Sequence, residues 1–266
     1  MRLLLSVLML LLMACEQQTA VIPAEGEAAR PAAGDTFIEA SIGEPSNLLP
    51  VLSSDSASSD INGLVYNGLL HYDKNLKLEG VLAESWDISE DNLTITFHLR
   101  KGVTWHDGAP FTSADVMFTY QLYTNPEVPT SYAEDFLQVA SAETPDDYTF
   151  KVSYARPYAP ALESWSTSIH PKHLLESADV TQSPLTRAPI GTGPFRFKQW
   201  DSGEKLVLEA NDSYFEGRPY INRVIYRIIP DLSTQFLELQ SGGLDFMGLT
   251  PIQFQTQTDT PAFSRN

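Results

Sequence analysis

The stretch LTITFHLRKGVTWHDGAPFTSADVMFTY, residues Leu93–Tyr120, decides the fold because it predicts a strand, a turn and a capped helix in one run. Apolar residues occupy alternate positions up to Leu99, which is the period of a strand with one buried face. On this pattern His98 points away from the core. Thr112 and Asp115 have the spacing of a capping box, so a helix is expected to begin after Thr112.

The same stretch carries two histidines and two aspartates close together, which raises the question of a metal or catalytic site. His98 lies on the outer face of its strand, and His106 ends a short predicted strand at 103–106, just before a turn at Asp107. Asp115 is committed to the helix cap. No two potential ligands are four residues apart on a predicted helix, as zinc motifs of that kind require. The stretch is therefore predicted to be scaffold, without a metal ligand.

The rest of the chain also lacks the sequence motifs of catalysis. There is no G-x-S-x-G elbow, and the Gly-Thr-Gly run at 191–193 lacks the further residues of a dinucleotide or phosphate loop. His170 and His173 could share a helix face, but Pro171 between them indicates the first position of a helix among ordinary polar residues. The sequence thus predicts no catalytic residue, no metal, no cofactor and no enzyme activity.

The composition is that of an acidic globular protein. The 266 residues are 42% hydrophobic and 19% charged, with a formal net charge of −17. With 17 Lys and Arg against 34 Asp and Glu, there is no basic face for a phosphate backbone, which excludes nucleic acid as a partner. The length suits one large domain or two ordinary ones, and the acidity favours solubility.

The N-terminus, MRLLLSVLMLLLMAC, is typical of an export signal, because one early positive charge precedes an apolar run too short to span a bilayer. It ends in Leu-Met-Ala-Cys, which resembles the lipobox of bacterial lipoproteins. Residues 1–14 are therefore predicted to be a signal peptide, and Cys15 the site of lipidation. The alternative is an ordinary signal peptide with an incidental cysteine. Cys15 is the only cysteine of the chain, so no intrachain disulfide can form.

Residues 15–35 are predicted to be a flexible tether, since Ala, Glu, Pro, Gln and Gly dominate and bulky apolar residues are almost absent. A lipid on Cys15 would hold the folded body at a membrane through this tether. Glu16 directly after the cysteine favours the outer membrane in a cell that has two, by resemblance to the way enteric lipoproteins are sorted.

Periodic apolar patterns and turn residues predict the other elements. The first are a strand from Phe37 to Ile42, a helix capped by Ser58 or Ser59, and two strands around a turn at Glu90–Asn92. Further along the chain, a hairpin turns at Asp201–Gly203 and is followed by a strand at Ile221–Asp231 that is buried on both faces. The last two are a helix capped by Ser233 and ended by Gly242, and a short strand at Leu244–Leu249.

Three segments in this order resemble the dipeptide, oligopeptide and nickel class of bacterial extracellular solute-binding proteins, the capture subunits of ABC importers. They are VLAESWDISEDNLTITFHLRKGVTWHDGAPFTSADVMFTY (81–120), PIGTGPFRFKQWDSGEKLVLEANDSYFEGRPYINRVIYRIIPD (189–231) and FLELQSGGLDFM (236–247). The resemblance implies a two-lobed α/β fold of the periplasmic-binding-protein type, which closes over its ligand, and an ABC permease as partner. These motifs belong to the fold and do not identify the ligand.

The resemblance also implies a division of the chain. Residues 36–62 and 189–250 would form a discontinuous first lobe, and residues 63–188 an inserted sub-domain. Family members are usually about twice as long, so the chain is interpreted as truncated at its C-terminus, with 251–266 starting a missing second lobe. No helix or strand signal is assigned to that end. The charged residues that hold peptide termini in the family would lie in the missing lobe, so this chain offers one wall of a cleft.

The family offers main-chain groups to its ligand from the loop after the first strand, and an extended peptide pairs with them as an added strand. The matching residues here are Ser41, Ile42, Gly43, Glu44, Pro45, Ser46 and Asn47. Gly43 would let the ligand backbone approach closely, although a simple turn glycine is the alternative. Tyr132 lies in a loop that can reach the cleft in the family, or is an ordinary surface tyrosine. Residues Phe246–Thr250 are expected to border the hinge and the cleft, with Met247, Gly248 and Thr250 at the ligand.

The function that the resemblance implies is capture of peptides for an ABC importer by an exported, lipid-anchored, monomeric protein facing the periplasm or the outer side of the cytoplasmic membrane. The alternatives are the same fold with a nickel chelate, haem, an opine or an oligosaccharide as ligand, or a truncated product that binds nothing. An envelope hydrolase or metal lipoprotein is disfavoured, since neither a nucleophile motif nor a ligand spacing is found.

Overall fold

The structure is a computed structural model that describes residues 32–259. The predicted signal peptide at 1–14, the lipidation site Cys15 and most of the tether at 15–35 lie outside the described residues. Between residues 32 and 259, no helix has both the length and the apolar character needed to cross a membrane.

The described chain contains ten strands and six α-helices, and consecutive strands are more common than strict alternation of strands and helices. The strands are β1 (Gly34–Ser41), β2 (Leu70–Tyr72), β3 (Leu78–Gly80), β4 (Ala83–Ile88), β5 (Thr94–Leu99), β6 (Val139–Asp146), β7 (Thr149–Tyr154), β8 (Phe195–Asp201), β9 (Lys205–Ala210) and β10 (Ile221–Ile228). The helices are α1 (Ser56–Val65), α2 (Ser113–Thr124), α3 (Ala133–Phe136), α4 (Lys172–Leu175), α5 (Leu232–Ser241) and α6 (Pro251–Gln257). Short 3₁₀ turns lie at Ala159–Ala161, Glu163–Ser166, Val180–Gln182 and Pro184–Thr186.

The first sheet combines the first strand of the described chain with its last three strands. Its strand order is β1-β10-β9-β8, with β1 parallel to β10 and the other neighbours antiparallel. Helix α1 packs against it, and apolar side chains of helix and sheet form one core. The buried members are Leu48, Ile61, Val65, Tyr66, Phe195, Leu206, Leu208, Val224 and Tyr226.

The second sheet, of order β4-β5-β7-β6, is wholly antiparallel and is built from residues 83–154. A larger core lies beside it, with Trp165 fully buried among the aromatic rings of Phe97, Phe136 and Phe150. Strands β2 and β3 form a separate two-stranded hairpin.

The stretch quoted first has the structure that its pattern predicts. In β5, Ile95, Phe97 and Leu99 are buried, whereas His98 is largely exposed and its ring contacts Asp87 at 2.8 Å. Thr112 accepts a hydrogen bond from the Ala114 N–H, and Asp115 Oδ2 accepts one from the Thr112 N–H at 2.9 Å, which completes the capping box of α2. The other carboxylate oxygen of Asp115 accepts from the Lys172 N–H at 3.0 Å and so holds α4 in place.

The predicted strand at 103–106 is wrong. Thr104 makes one isolated bridge with Pro110, and the His106 N–H donates to the Gly191 carbonyl at 2.8 Å instead of to a strand partner. The side chain of His106 also bonds to this segment: its Nδ1 accepts from the Gly191 N–H at 3.2 Å, and its Nε2 lies 3.0 Å from the Gly193 carbonyl. These hydrogen bonds of His106 therefore connect the turn at 107–110 to the segment directly before β8.

His170 is buried completely, which corrects the expectation of a histidine among ordinary polar residues. Its Nε2 accepts from the Val51 N–H at 3.2 Å, and the edge of its ring meets Tyr123. Pro171 is the N-cap of α4 instead of its first helical residue, which is Lys172. His173 lies closer to the surface, with Nε2 at 2.8 Å from Asp107 Oδ2.

Two predicted helix caps are also wrong, in the same way. Asp55 caps α1 and Asp231 caps α5, and each lies a few residues before the predicted serine. Each aspartate side chain accepts a hydrogen bond from the backbone N–H three residues further along the chain, at 2.8 and 2.7 Å respectively. The predicted end of α5 is confirmed, because Gly242 adopts a left-handed conformation with φ of 79°.

Three further expectations need correction. The segment Leu244–Leu249 makes one bridge, Phe246 with Glu39, and no strand. Only one face of β10 has buried residues, Val224 and Tyr226. On the other face Ile225 is half-buried, and Arg227 pairs with Glu238 at 2.9 Å. The C-terminal part of the described chain does contain a helix, α6, which begins with a capping box and a proline in its first turn.

Candidate functional site

A cleft of about 690 Å³ opens at the carboxyl end of β1. Its walls are the loop after β1, the first turn of α1, Tyr226 of β10, the start of α5 and the segment 246–250. Tyr226 stands opposite Glu39 in the parallel pairing of β10 with β1. In α/β folds the carboxyl ends of parallel strands are a usual place for ligands, so this cleft is the candidate site.

The cleft brings together six of the residues predicted to bind ligand. Ser41, Ile42, Gly43, Glu44, Gly248 and Thr250 line it. Pro45, Ser46, Asn47, Met247 and Tyr132 do not. Pro45 and Met247 are buried, and the Asn47 side chain accepts from the Leu49 N–H at 3.0 Å. Contact of these five residues with a ligand stays a prediction.

Part of the main chain of the loop after β1 is available to a ligand. The backbone groups of Ile42, Gly43 and Glu44 make no hydrogen bond to another backbone group of residues 32–259. Those of Gly43 are bonded to the Ser41 hydroxyl, which donates to the Gly43 C=O at 2.7 Å and accepts from its N–H at 3.4 Å. Ile42 exposes 63% of its surface to solvent. An extended chain laid along this loop would find the unpaired N–H and C=O groups of Ile42 and Glu44 together with an apolar side chain, as strand addition requires.

The glycines of the cleft leave open space. A Cβ atom built on Gly43 or Gly248 meets no atom within 4 Å, and neither glycine has a positive φ. Neither packing within the described chain nor backbone conformation therefore requires glycine at these two positions. Because glycine has no side chain, these two positions leave room at the wall of the cleft.

Glu44 fixes the loop after β1 to the hairpin of β8 and β9. Its Oε1 accepts from the Trp200 indole N–H at 2.7 Å and from the Ser202 hydroxyl at 2.6 Å. These hydrogen bonds, the one from Ser202 first, hold the pKa of Glu44 below its usual range. The guanidinium of Arg187 stacks on the Trp200 ring at 3.3 Å from its centre. The carboxylate predicted to face a ligand is thus already bonded to the scaffold.

The lining of the cleft is acidic and contains no lysine or arginine. Besides Glu44 it includes Glu39, Asp55 and Asp60. Asp55 is engaged as the cap of α1. Burial, and next the charge of Asp60, raise the pKa of Glu39 above its ordinary value. Within residues 32–259, no cluster of three or more His, Cys, Asp or Glu side chains is arranged to hold a metal ion.

Several lining residues were not predicted. They are Glu39, Ala40, Asp55, Ser56, Ala57, Asp60, Tyr226, Leu232 and Gln235. Phe246 and Leu249, which belong to the stretch expected to border the cleft, line it as well. Glu39 and Ala40 could have been found, because they end a strand that was recognised. The other unpredicted residues come from segments far apart in sequence, and only the pairing of β1 with β10 and with Phe246 brings them to one place.

Comparison with known proteins gives one consistent family. Residues 77–265 match the bacterial extracellular solute-binding proteins, family 5, middle region. The oligopeptide-binding protein AppA of Bacillus subtilis is 37% identical over 264 residues, which are 95% of this chain and 48% of that protein. Heme-binding protein A of Haemophilus influenzae is 30% identical, over 90% of this chain and 48% of its own length. The chain spans about half the length of the curated relatives it matches.

Solved structures agree with the sequence matches. The structure of Bacillus subtilis AppA in complex with a nonapeptide superimposes with a TM-score of 0.81 and 33% identity, covering 86% of this chain and 47% of that one. NikZ of Campylobacter jejuni in complex with Ni(L-His) gives 0.77 and 32% identity, covering 84% and 45%. The predicted α/β fold of a periplasmic binding protein is confirmed, and each match covers about half of the longer chain, as expected for part of a two-lobed protein.

The family and these relatives are described as binding proteins and not as enzymes, which agrees with the prediction from the sequence. The match covers well over half of the chain, from β3 onwards, and includes the whole stretch that decides the fold. The chain belongs to the bacterial extracellular solute-binding proteins of family 5.

Proposed function

We propose that this protein captures peptides for an ABC importer and is held at the cell envelope by a lipid on Cys15. The observation that carries the proposal is the unpaired main chain of Ile42 and Glu44 along an open cleft. Recognition through main-chain groups tolerates many side chains. A relative of the same fold was solved with a nonapeptide, and others are described as ABC transporter peptide-binding proteins. The ABC permease is the proposed partner, and the protein is proposed to act as a monomer.

The predicted division of the chain is part of the proposal. Residues 36–62 with 189–250 would form one lobe, and residues 63–188 an inserted sub-domain. The two four-stranded sheets support this division, since one uses strands from both outer segments and the other uses residues 83–154 alone. Residues 251–266, which begin with α6, would lead towards a second lobe. Closure of two lobes would favour the bound state only by the ligand's greater affinity for the closed form.

Peptide binding is tested by calorimetric titration of the protein at its native length with peptides of two, five and nine residues. We expect micromolar or tighter affinity for at least one length. Ni(L-His), haem and an opine are titrated in parallel, since relatives of this fold are described as binding such ligands. Tighter binding of one of these than of any peptide would contradict the proposal and identify the competing ligand class.

The role of the loop is tested by Gly43→Ala. We expect the variant to fold with an unchanged midpoint and to bind peptide about tenfold more weakly, because a methyl group forced between two packed chains costs about 1 to 3 kcal/mol. Gly34→Ala is the matched control, since it lies at the other end of β1 and its Cβ would make an ordinary contact of 3.8 Å. Equal affinities of the two variants would mean that the ligand does not approach Gly43.

The anchor is tested by Cys15→Ser. We expect the variant to move from the membrane fraction to the soluble fraction, because one apolar signal is removed and no spanning helix is found within residues 32–259. Glu16→Gln, which keeps the cysteine, is the control and is expected to stay with the membranes. If Cys15→Ser still sediments with membranes, a lipid on this cysteine is not what retains the protein.

A further inference from the structure

The loop that follows β1 has no main-chain support of its own. Within the described part of the chain, no backbone group of residues 42–47 bonds to another backbone group. The loop is also open to solvent, since Ile42, Glu44 and Ser46 are all exposed. A segment of this kind samples many conformations unless side chains hold it, and ordering it when a ligand binds costs affinity. The readiness of this loop for a peptide therefore depends on side-chain contacts.

Side-chain contacts hold the loop at three places. Near its start, the Ser41 hydroxyl bonds to both main-chain groups of Gly43. Near its end, the Ser46 hydroxyl donates to Asp55, the residue that caps α1. Between these two places, the carboxylate of Glu44 accepts hydrogen bonds from the hairpin of β8 and β9. The first two contacts join residues that are close in sequence, whereas the contact at Glu44 joins the loop to a distant part of the chain.

The contact at Glu44 is built from two donors of the hairpin. Glu44 Oε1 accepts from the Trp200 indole N–H at 2.7 Å and from the Ser202 hydroxyl at 2.6 Å. The guanidinium of Arg187 lies over the Trp200 ring at 3.3 Å from its centre, which holds the plane of the indole. Glu44 lines the cleft, whereas Trp200 and Ser202 do not. The two hairpin residues can therefore affect a ligand in the cleft through Glu44 and not by contact.

The hairpin itself does not depend on Glu44. Trp200 pairs with Leu206 across the two strands. The turn is closed by the Glu204 N–H, which donates to the Asp201 carbonyl at 3.0 Å. Loss of the bonds to Glu44 would leave this pairing intact. The part of the molecule that would lose support is the loop after β1.

We infer that Trp200 and Ser202 are positioning residues for the ligand. By holding Glu44, they keep the main chain of Ile42 and Glu44 in the conformation to which a peptide adds as a strand. The inference rests on the proposed function, because the loop is positioned for a peptide that the cleft captures. The carboxylate of Glu44 then belongs to the frame of the site, and its backbone groups are what the ligand meets.

The test compares the peptide affinities of Trp200→Phe, Ser202→Ala and the wild type by calorimetry, with the protein at its native length. The ligand is the peptide that binds most tightly among those of two, five and nine residues. Trp200→Phe removes the indole N–H and keeps an aromatic ring for Arg187. We expect each variant to bind about threefold more weakly, which is the size of one net hydrogen bond at an exposed position. Trp86→Phe, at a half-buried tryptophan of β4 outside the cleft, is the control and should bind like the wild type.

Variants of Glu44 show whether the two residues act through it. Glu44→Ala should bind more weakly than either hairpin variant, and adding Trp200→Phe to it should cause no further loss, because the bond is already gone. Glu44→Gln keeps an acceptor oxygen and should recover most of the affinity lost in Glu44→Ala. In denaturant unfolding, the midpoint of Trp200→Phe should change no more than that of Trp86→Phe, since the pairing of the hairpin is kept.

Three outcomes would overturn the inference and leave the proposed function standing. One is wild-type affinity in both Trp200→Phe and Ser202→Ala. Another is a loss in Trp200→Phe that persists in full when Glu44 is alanine, since Trp200 would then act by another route. The third is equally weak binding by Glu44→Gln and Glu44→Ala, since the ligand would then contact the charge itself. Absence of binding by every peptide to the wild type would overturn both the inference and the proposed function.

Discussion

An alanine in place of Gly191 is expected to lower the free energy of unfolding by about 4 kcal/mol, or to prevent folding altogether, since steric overlap of this kind belongs to the most damaging class of substitutions. The Cβ would lie 1.8 Å from the Val65 carbonyl oxygen, which is backbone and cannot turn aside. The segment would have to move away from the end of α1. That movement would also break two hydrogen bonds between Gly191 and His106, one from the His106 N–H to the Gly191 carbonyl and one from the Gly191 N–H to the His106 ring Nδ1.

The measurement is denaturant unfolding followed by tryptophan fluorescence, with Gly63→Ala as the matched control. Gly63 lies inside α1, and a Cβ there meets nothing within 4 Å. The control should be unchanged or more stable by up to about 1 kcal/mol, because alanine favours a helix over glycine. If Gly191→Ala unfolds at the same denaturant concentration as the control, the close packing of 191–193 on the end of α1 does not exist in solution.

The second large effect expected is a loss of stability between pH 7 and pH 4.5. Burial lowers the pKa of His106 to about 4 and that of His170 to about 3. Both histidines are neutral acceptors in the folded state. In the unfolded chain they take up protons near pH 6.5. Below that pH the unfolded state binds more protons, so stability falls as the pH falls, and at pH 4.5 the loss is about 2 to 3 kcal/mol for each histidine.

The free energy of unfolding is measured at several pH values for the wild type, His106→Asn and Ser141→Ala. His106→Asn is less stable at pH 7, but its stability should fall about half as much on acidification, because one of the two buried histidines is gone. Ser141→Ala, on an exposed position of β6, leaves every histidine in place, so it is the control and should follow the wild type. Burial also raises the pKa of Asp115, which opposes the loss at the acid end. Equal slopes for wild type and His106→Asn would contradict the expectation.

The elements predicted well are those whose signal is local. The alternation of β5 and the cap at Thr112 each depend on neighbours within four residues, so their structure follows from the sequence around them. Helix α6 also has such a signal. Thr250 and Gln253 form a capping box with Pro251 between them, all within four consecutive residues. The two wrongly predicted caps show that a local signal does not always identify the exact residue. Serine and aspartate both cap helices, and several serines and aspartates lie close together before α1 and α5.

The site was predicted at two places, the loop after β1 and the segment that ends in Gly248 and Thr250. Ser41–Glu44 could be assigned because the loop follows β1 directly. Asp60, Tyr226 and Gln235 could not, since nothing near them in sequence indicates that β10 lies beside β1. The buried state of His170 was missed for the same reason, because its surroundings are Val51 and Tyr123, which are distant in the chain. Long-range pairing determines these positions, and a local pattern does not contain it.

The parallel pairing of β1 with β10 has a consequence for the order of folding. Gly34 pairs with Ile221, so the first sheet is complete only when nearly the whole described chain has been synthesised. The second sheet joins strands that are close in sequence and can form from residues 83–154 alone. Contacts between distant residues carry a larger entropy cost and form later. Until β10 arrives, β1 has an open edge able to pair with other chains, so β1 is the segment most in need of protection while the protein is being made.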